Sequence, residues 1–249
     1  MILFFGDVHG DFRHVERIVA RYRPAAIIFL GDLEAPAPLE QVLARVLAQT
    51  QVWYIHGNHD TDNHRNYDHL FGSALAERNL HGRVVEIAGM RIAGLGGVFR
   101  AEIWYPDRAA APVHYDNYQM YQQKSEAGQR LYGDQPHGNL SEGKARGLLL
   151  RHRSSIFHQE WQALCCQQAD ILVTHEAPDC HPYGFRILNQ LAREMGVKTL
   201  FHGHQHDSLN YRPYFRRLGF HVYGVGLRGV CNLRGQCVRA GEMEVPGGT

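Results

Sequence analysis

The stretch Ala26–Glu34 reads Ala-Ile-Ile-Phe-Leu-Gly-Asp-Leu-Glu, an apolar run that ends at Gly31 and is followed at once by Asp32. A short, continuous apolar run is typical of a strand that is buried on both faces. Because Gly31 lets the chain turn tightly, we expect Asp32 to lie at the carboxyl end of this strand. In open α/β sheets, that edge is where ligands bind.

Four more apolar runs end in the same way, each in side chains that can bind a metal ion. They are Ile2–Phe5 before Asp7 and His9, Val52–Ile55 before Asn58 and His59, Ile171–Thr174 before His175, and Val197–Phe201 before His204 and His206. Amphipathic helical segments separate the first strands, one capped by Asp11 and one entered through Pro38. This alternation predicts an α/β fold with a largely parallel sheet.

The rest of the chain completes one domain, which we take to span residues 1–249. Arg83–Leu95 alternates in polarity and turns near Ala88 and Gly89, which predicts a hairpin. Residues 98–153 are rich in Tyr, Arg, His, Gln and Gly, and we expect an irregular insertion that borders the active site. Two further strands are predicted near Phe220–Val225 and Val238–Val245.

Composition limits the function classes. With 249 residues and 44% hydrophobic content, the chain can bury a full core as one α/β domain. Its 26 basic and 25 acidic residues give a net charge of +1, which weighs against nucleic acid or a membrane as partner. The five cysteines are an odd, irregular set, typical of reduced thiols in a cytoplasmic protein.

The side chains at the strand ends have a characteristic chemistry. Carboxylate and amide oxygens are mixed with imidazole nitrogens and no thiolate, a set that suits Mn, Fe or Zn and disfavours a structural zinc site. The spacings Asp-x-His and His-x-His put both side chains on one side of an extended segment. An Asp after a strand is by itself ordinary turn chemistry, so only the joint pattern predicts a metal site.

These blocks resemble those of the calcineurin-like metallophosphoesterases, in the family's order and over residues 1 to about 230. The matching blocks are Gly6-Asp7-Val8-His9-Gly10, Gly31-Asp32, Gly57-Asn58-His59-Asp60, Thr174-His175 and Gly203-His204-Gln205-His206. The resemblance implies two mixed β-sheets packed face to face with helices outside. It also implies two divalent metal ions, one held by Asp7, His9, Asp32 and His206 and the other by Asp32, Asn58, His175 and His204, so that Asp32 bridges them.

The resemblance also implies a mechanism. A water that bridges the two ions is acidified and attacks phosphorus directly, without a covalent enzyme intermediate. His59 is implied to be a general acid that protonates the leaving oxygen rather than a ligand. We expect the neighbouring Asp60 to orient the His59 ring and raise its basicity.

Two departures leave the subgroup open. The second block continues as Leu33-Glu34-Ala35-Pro36, without the Asp-Arg-Gly of serine/threonine phosphatases or the ligating Tyr of purple acid phosphatases. Four arginines beside motifs or glycine loops are candidates for gripping phosphate, and ordinary surface positions are the alternative for each. They are Arg13, Arg65, Arg100 and Arg228. For Glu176, next to His175, we expect helix capping or solvation.

The function predicted first is hydrolysis of a phosphomonoester or a small phosphodiester. A nuclease or a nucleotide pyrophosphohydrolase is the alternative on the same core, although the neutral charge weighs against long nucleic-acid substrates. A non-catalytic protein-binding scaffold is a third possibility. Such a scaffold is expected to have lost ligands or the general acid, and none is missing here.

Overall fold

In the part of the chain that the structure describes, the strands lie in two sheets of five strands each. The computed structural model describes residues 1–106, 112–133 and 140–243. In chain order the strands are β1 Ile2–Phe5, β2 Ala26–Leu30, β3 Gln51–Ile55, β4 Arg83–Ile87, β5 Met90–Leu95, β6 Ile171–Thr174, β7 Thr199–His202, β8 His221–Gly224, β9 Val230–Asn232 and β10 Cys237–Arg239. The first sheet has the order β10-β9-β1-β2-β3 and the second the order β4-β5-β6-β7-β8.

Both sheets are mixed, with antiparallel pairing at one edge and parallel strands through the rest of the sheet. Strands β1, β2 and β3 are parallel, whereas β9 and β10 are antiparallel to their neighbours. In the second sheet β5 to β8 are parallel, and β4 joins β5 through the predicted hairpin turn at Ala88 and Gly89. Because parallel strands end at the same edge of a sheet, the polar residues that follow β1, β2, β3, β6 and β7 lie close together.

The two sheets pack face to face through an apolar interior. The ring of Phe4 in β1 stacks on that of Phe201 in β7, with 3.7 Å between centroids, and Ile28 and Val173 lie in the same buried layer. Strand β2 is fully buried along its length, as its continuous apolar run predicted. The predicted arrangement of two mixed sheets with helices outside is therefore confirmed.

Helices cover the outer face of each sheet. In chain order they are α1 Arg13–Tyr22, α2 Leu39–Val42, α3 Ala44–Leu47, α4 His64–Phe71, α5 Tyr118–Lys124, α6 Glu126–Tyr132, α7 Glu142–Arg151, α8 His158–Cys165, α9 Arg186–Glu194 and α10 Phe215–Leu218. Residues of α1 and α3 pack on the first sheet, and those of α8 and α9 pack on the second. Within the described residues, none of these helices has the length and apolar character needed to cross a membrane.

The segment 98–153 is more regular than predicted. It contains α5, α6 and α7, whose first turns are capped by Asn117, Ser125 and Ser141, each accepting a backbone N–H three residues ahead. The prediction of an irregular insertion is wrong here, because short, weakly amphipathic helices depend on such caps more than on periodicity. Residues 107–111 and 134–139 of this segment lie outside the described residues.

Smaller differences concern element ends. The helix predicted after Pro38 is two short helices that meet at Leu43. Phe12 rather than Asp11 is the N-cap residue of α1, but the Asp11 carboxylate does accept the backbone N–H of Arg13, the first residue of the helix, at 3.1 Å and also pairs with its guanidinium. The last strand ends at Arg239, before the predicted boundary, and residues 244–249 lie outside the described residues.

Candidate metal centre

The first group of side chains that could bind a metal ion comes from the loop after β1 and the loop after β7. His9 Nε2 lies 3.0 Å from His206 Nε2, and His206 Nε2 lies 3.2 Å from Asp7 Oδ2. Asp7 is fully buried, whereas the two imidazoles are partly exposed. These three residues offer ligand atoms that are close enough together to hold one metal ion.

The second group joins the loops after β2, β3, β6 and β7. His175 Nε2 lies 3.3 Å from Asp32 Oδ2 and 3.2 Å from Asn58 Oδ1. His204 completes the group with a nitrogen close to the ligand atoms of Asp32 and His175. The structure therefore brings together all seven side chains predicted as metal ligands, in two adjacent groups.

The backbone of these loops is held in unusual conformations. His9, Asp32, His204 and His206 all have a φ between 41° and 67°, in the left-handed region that non-glycine residues seldom adopt. Hydrogen bonds hold the loops in place, since Asp7 Oδ2 accepts the backbone N–H of His204 at 2.8 Å. Such strain is retained where the surrounding structure enforces it, which is common at functional sites.

The electrostatics of the cluster suit cations. Asp7 Oδ1 and Asp32 Oδ2 are buried and accept no hydrogen bond from the described residues. A buried carboxylate oxygen without a donor is costly unless it faces a positive charge. Burial lowers the pKa of His175, but the carboxylates of Asp32 and Asp7 outweigh burial and raise the pKa to about 10. In the absence of an ion, the proton on His175 thus offsets the carboxylates, and metal binding would replace it.

Asp32 and His204 already have the protonation that metal binding needs, whereas His175 would give up its proton when an ion binds. Burial raises the pKa of Asp32, but the neighbouring His175 outweighs burial and holds the pKa below its usual range. Burial, together with the neighbouring His175, lowers the pKa of His204 to about 3, so its imidazole is neutral at physiological pH. Ionised carboxylates and neutral imidazoles are the forms that bind divalent ions, so the residues present fit a metal centre.

His59 lies beside the cluster without joining either group. Its ring is 5.5 Å from that of His9, its backbone N–H donates to Asp32 Oδ1 at 2.8 Å, and 45% of its side chain is exposed. Burial lowers the pKa of His59, but hydrogen bonding to Asp62 and the charge of Asp32 outweigh it and raise the pKa. The ring can therefore present a proton to a molecule in the cleft.

The partner of the His59 ring is Asp62, so the prediction that Asp60 orients this ring is wrong. Asp62 Oδ2 lies 2.6 Å from His59 Nδ1. Residues 59–61 form a turn of 3-10 helix, in which side chains three positions apart lie on the same face. Asp60 instead points inward, is fully buried, and accepts the backbone N–H groups of Gly57 at 2.9 Å and Glu34 at 2.8 Å.

Two further acidic residues touch the cluster. The carboxylate of Glu34 is in hydrogen-bond contact with Nδ1 of His9. Glu176 is buried, accepts the N–H of Phe99 at 3.2 Å and places Oε2 at 3.9 Å from His204 Nε2, so the expectation of capping or solvation for this residue is wrong. In the sequence, both residues lie close to a predicted ligand. The direction in which their side chains point depends on the loop conformation, which the sequence does not reveal.

The four candidate arginines all have partners within the protein. The guanidinium of Arg13 pairs with Asp11, that of Arg65 donates to the carbonyl of Pro36, that of Arg100 donates to Ser154 and Ser155, and that of Arg228 donates to Val8 and Glu242. Arg228 is joined to the first group, because its backbone N–H also donates to the carbonyl of Asp7 at 3.0 Å. A phosphate-binding role for any of them stays a prediction.

Comparison with known proteins places this geometry in a family. Residues 1–208 match the sequence profile of the calcineurin-like phosphoesterases. An uncharacterized protein of Haemophilus influenzae strain Rd is 40% identical over 238 residues, which cover 94% of this chain and 95% of that protein.

One solved structure shows a similar fold. The crystal structure of TT1561 of Thermus thermophilus is 15% identical with a TM-score of 0.54, and the match covers 96% of this chain and 97% of that one. A weaker match is the crystal structure of a 5'-nucleotidase precursor from the same organism, with 14% identity, a TM-score of 0.39, and coverage of 96% of this chain and 52% of that one. By its profile match and its relative, the chain belongs to the calcineurin-like phosphoesterase family, hydrolases that act on phosphoester bonds.

Proposed function

We propose that the protein hydrolyses phosphomonoesters or small phosphodiesters with two divalent metal ions. The first ion would be held by Asp7, His9, Asp32 and His206, and the second by Asp32, Asn58, His175 and His204. The observation that carries this proposal is the pair of adjacent ligand groups around buried carboxylate oxygens that accept no hydrogen bond. Asp32, one of those carboxylates, is assigned as the ligand shared by both ions.

The chemistry needs both the ions and the chain. When bound, two divalent ions lower the pKa of a water molecule and offset the charge of the phosphoryl oxygens. The oxygen and nitrogen ligands suit Mn, Fe or Zn, and metal availability decides among them. The chain fixes the ligand atoms in advance, since Asp7, Asp32 and His175 are all buried and hydrogen-bonded.

His59 is proposed to give a proton to the leaving oxygen. Its raised pKa keeps it protonated closer to neutral pH, and its exposed ring can reach a substrate in the cleft. Asp62 holds the ring by Nδ1, which leaves Nε2 as the nitrogen for the substrate. Asp60 does not contact the His59 ring. Its carboxylate accepts the backbone N–H groups of Gly57 and Glu34 and so holds the two loops beside the site together.

The substrate and the compartment follow from coarser features. The near-zero net charge supports a small phosphoester rather than long nucleic acid. The irregular cysteine set supports a reducing compartment, and we assign the protein to the cytoplasm.

The proposal is tested with purified protein that has been stripped by a chelator and reloaded with Mn²⁺. The substrates are an aryl phosphate and a bis-aryl phosphate, followed by a panel of phosphomonoesters, cyclic nucleotides, dinucleoside polyphosphates and phosphopeptides. We expect metal-dependent turnover that Asp32→Asn abolishes. The matched control is Glu86→Gln, which changes an exposed carboxylate in β4 near the hairpin turn, at the end of the sheet opposite to the site.

Three outcomes would contradict parts of the proposal. Turnover that persists in the stripped protein would refute metal dependence. Full activity of His59→Ala on substrates with poor leaving groups would refute the general-acid assignment. Steeply salt-dependent binding to DNA would favour a nuclease over a small-molecule hydrolase.

A further inference from the structure

Glu34 occupies an unusual place at the edge of the first ligand group. It lies two residues after Asp32, where the sequence departs from the phosphatase pattern, and its φ of 44° is left-handed. Its side chain reaches the loop after β1. There the Glu34 carboxylate makes its hydrogen bond with Nδ1 of His9.

The two nitrogens of His9 therefore face opposite partners. Nε2 points into the first ligand group, 3.0 Å from His206 Nε2, while Nδ1 meets Glu34. A carboxylate on the outer nitrogen of a ligating histidine fixes the tautomer and orientation of the ring and raises its basicity. We propose that Glu34 is the residue that positions His9 for metal binding, an inference that rests on the proposed function.

Asp60 fixes Glu34 in turn. One oxygen of this buried carboxylate accepts the N–H of Glu34, and the other accepts the N–H of Gly57. Gly57 directly precedes Asn58, a residue of the second ligand group. The same carboxylate thus holds the backbone beside both groups, and Glu34 is the side chain that passes this support to His9.

The fully buried ligand histidine, His175, is supported differently. Its Nδ1, the nitrogen that points away from the ligand group, donates to the backbone carbonyl of Leu30 at 2.8 Å. Because the acceptor is a backbone atom, a side-chain substitution at Leu30 does not remove it. His9 depends instead on a side chain that is 31% exposed. Because Glu34 is partly exposed, replacing its carboxylate leaves no buried charge without a partner, and the fold is expected to survive.

The test measures metal affinity directly in the full-length protein. Calorimetric titration of the stripped protein with Mn²⁺ is carried out for wild type, Glu34→Gln, Glu34→Ala and the control Glu86→Gln. We expect one of two binding events to weaken by roughly 10–100-fold in Glu34→Ala, the range typical of such supporting residues. Glu34→Gln is expected to lie between, because a neutral amide oxygen still accepts from Nδ1 but less strongly than a carboxylate.

A spectroscopic measurement separates positioning from a general effect on stability. In Zn²⁺-loaded protein labelled with ¹⁵N-histidine, the His9 Nδ1 proton should resonate downfield in wild type and shift upfield in Glu34→Gln. Unchanged affinity and an unchanged His9 signal in both Glu34 variants would overturn the inference while leaving the metal centre intact. Failure of the wild type to bind Mn²⁺ would instead refute the proposed function, and this inference with it.

Discussion

Gly57→Ala is expected to disable the metal centre by adding one methyl group. A Cβ at residue 57 would lie 2.1 Å from Asp32 Oδ1 and 2.6 Å from His175 Cε1, where ordinary contact begins at 3.4 Å. The new Cβ and Asp32 Oδ1 must therefore separate by about 1.3 Å. The Cβ cannot move toward the backbone nitrogen of Asp32, which already lies only 2.5 Å away. The φ of Gly57 is not in the left-handed region, so the substitution tests the contact alone.

The displaced atoms belong to two proposed ligands, so the loss should be large. A misplacement of about 1 Å can cost roughly 10²-fold in rate, and we expect at least that loss in kcat/KM. Overfilling the site should also destabilise the fold by about 1–3 kcal/mol. The assay is hydrolysis of an aryl phosphate by the Mn²⁺-loaded protein, with thermal unfolding and metal titration on the same samples.

The matched control is Gly147→Ala in the interior of α7, where an added Cβ meets none of the described residues within 4 Å. This change should leave activity untouched and stabilise the helix by about 0.5–1 kcal/mol. If Gly57→Ala keeps wild-type kcat/KM and both metal ions, then the cradle around Asp32 and His175 is not needed for catalysis, and the reasoning fails.

Three other predictions use the same assays. Asp32→Asn should lose more activity and more bound metal than His206→Ala, because Asp32 is the proposed shared ligand; equal metal contents, measured by atomic absorption, would argue against sharing. Asp62→Asn should slow hydrolysis of alkyl phosphates by about tenfold or more, part of the roughly 10²–10⁴-fold contribution of a general acid. The same variant should spare nitrophenyl phosphate, and equal losses on both substrates would show that Asp62 does not act through His59. Finally, metal at 100 times its dissociation constant should stabilise the protein by about 2.7 kcal/mol, which raises the unfolding temperature by roughly 5–11 °C; an unchanged temperature in calorimetric scans would mean that no ion binds the folded state.

The strands and the ligand cluster could be predicted from the sequence because both depend on one simple pattern. A fully buried strand such as β2 must be apolar throughout, so its end is marked by the first polar residue, Asp32. Parallel strands then bring such ends to one edge of the sheet. No knowledge of side-chain direction was needed to collect Asp7, Asp32 and His175 in one place.

The partners of the ligands could not be predicted, because they depend on local turns. Asp60 is the sequence neighbour of His59, yet the 3-10 turn directs Asp60 into the core and brings Asp62 under the ring. Glu34 contacts His9 from a left-handed backbone conformation, which has no reliable sequence signal for a glutamate. In both cases the local backbone conformation decides which carboxylate contacts which histidine.

The proposed ligand residues also join the two sheets, which explains how the site can be assembled before any ion binds. His175, after β6 in the second sheet, donates to Leu30 of β2 in the first, while Asp7 of the first sheet accepts the N–H of His204 from the second. These bonds use Nδ1 of His175 and Oδ2 of Asp7. They leave Nε2 of His175 and Oδ1 of Asp7 for the cluster. The apolar interior, with Phe4 stacked on Phe201, brings the sheets together without help from a metal. Sheet packing therefore fixes the ligand positions, and the metal-free protein should stay folded with its site already assembled.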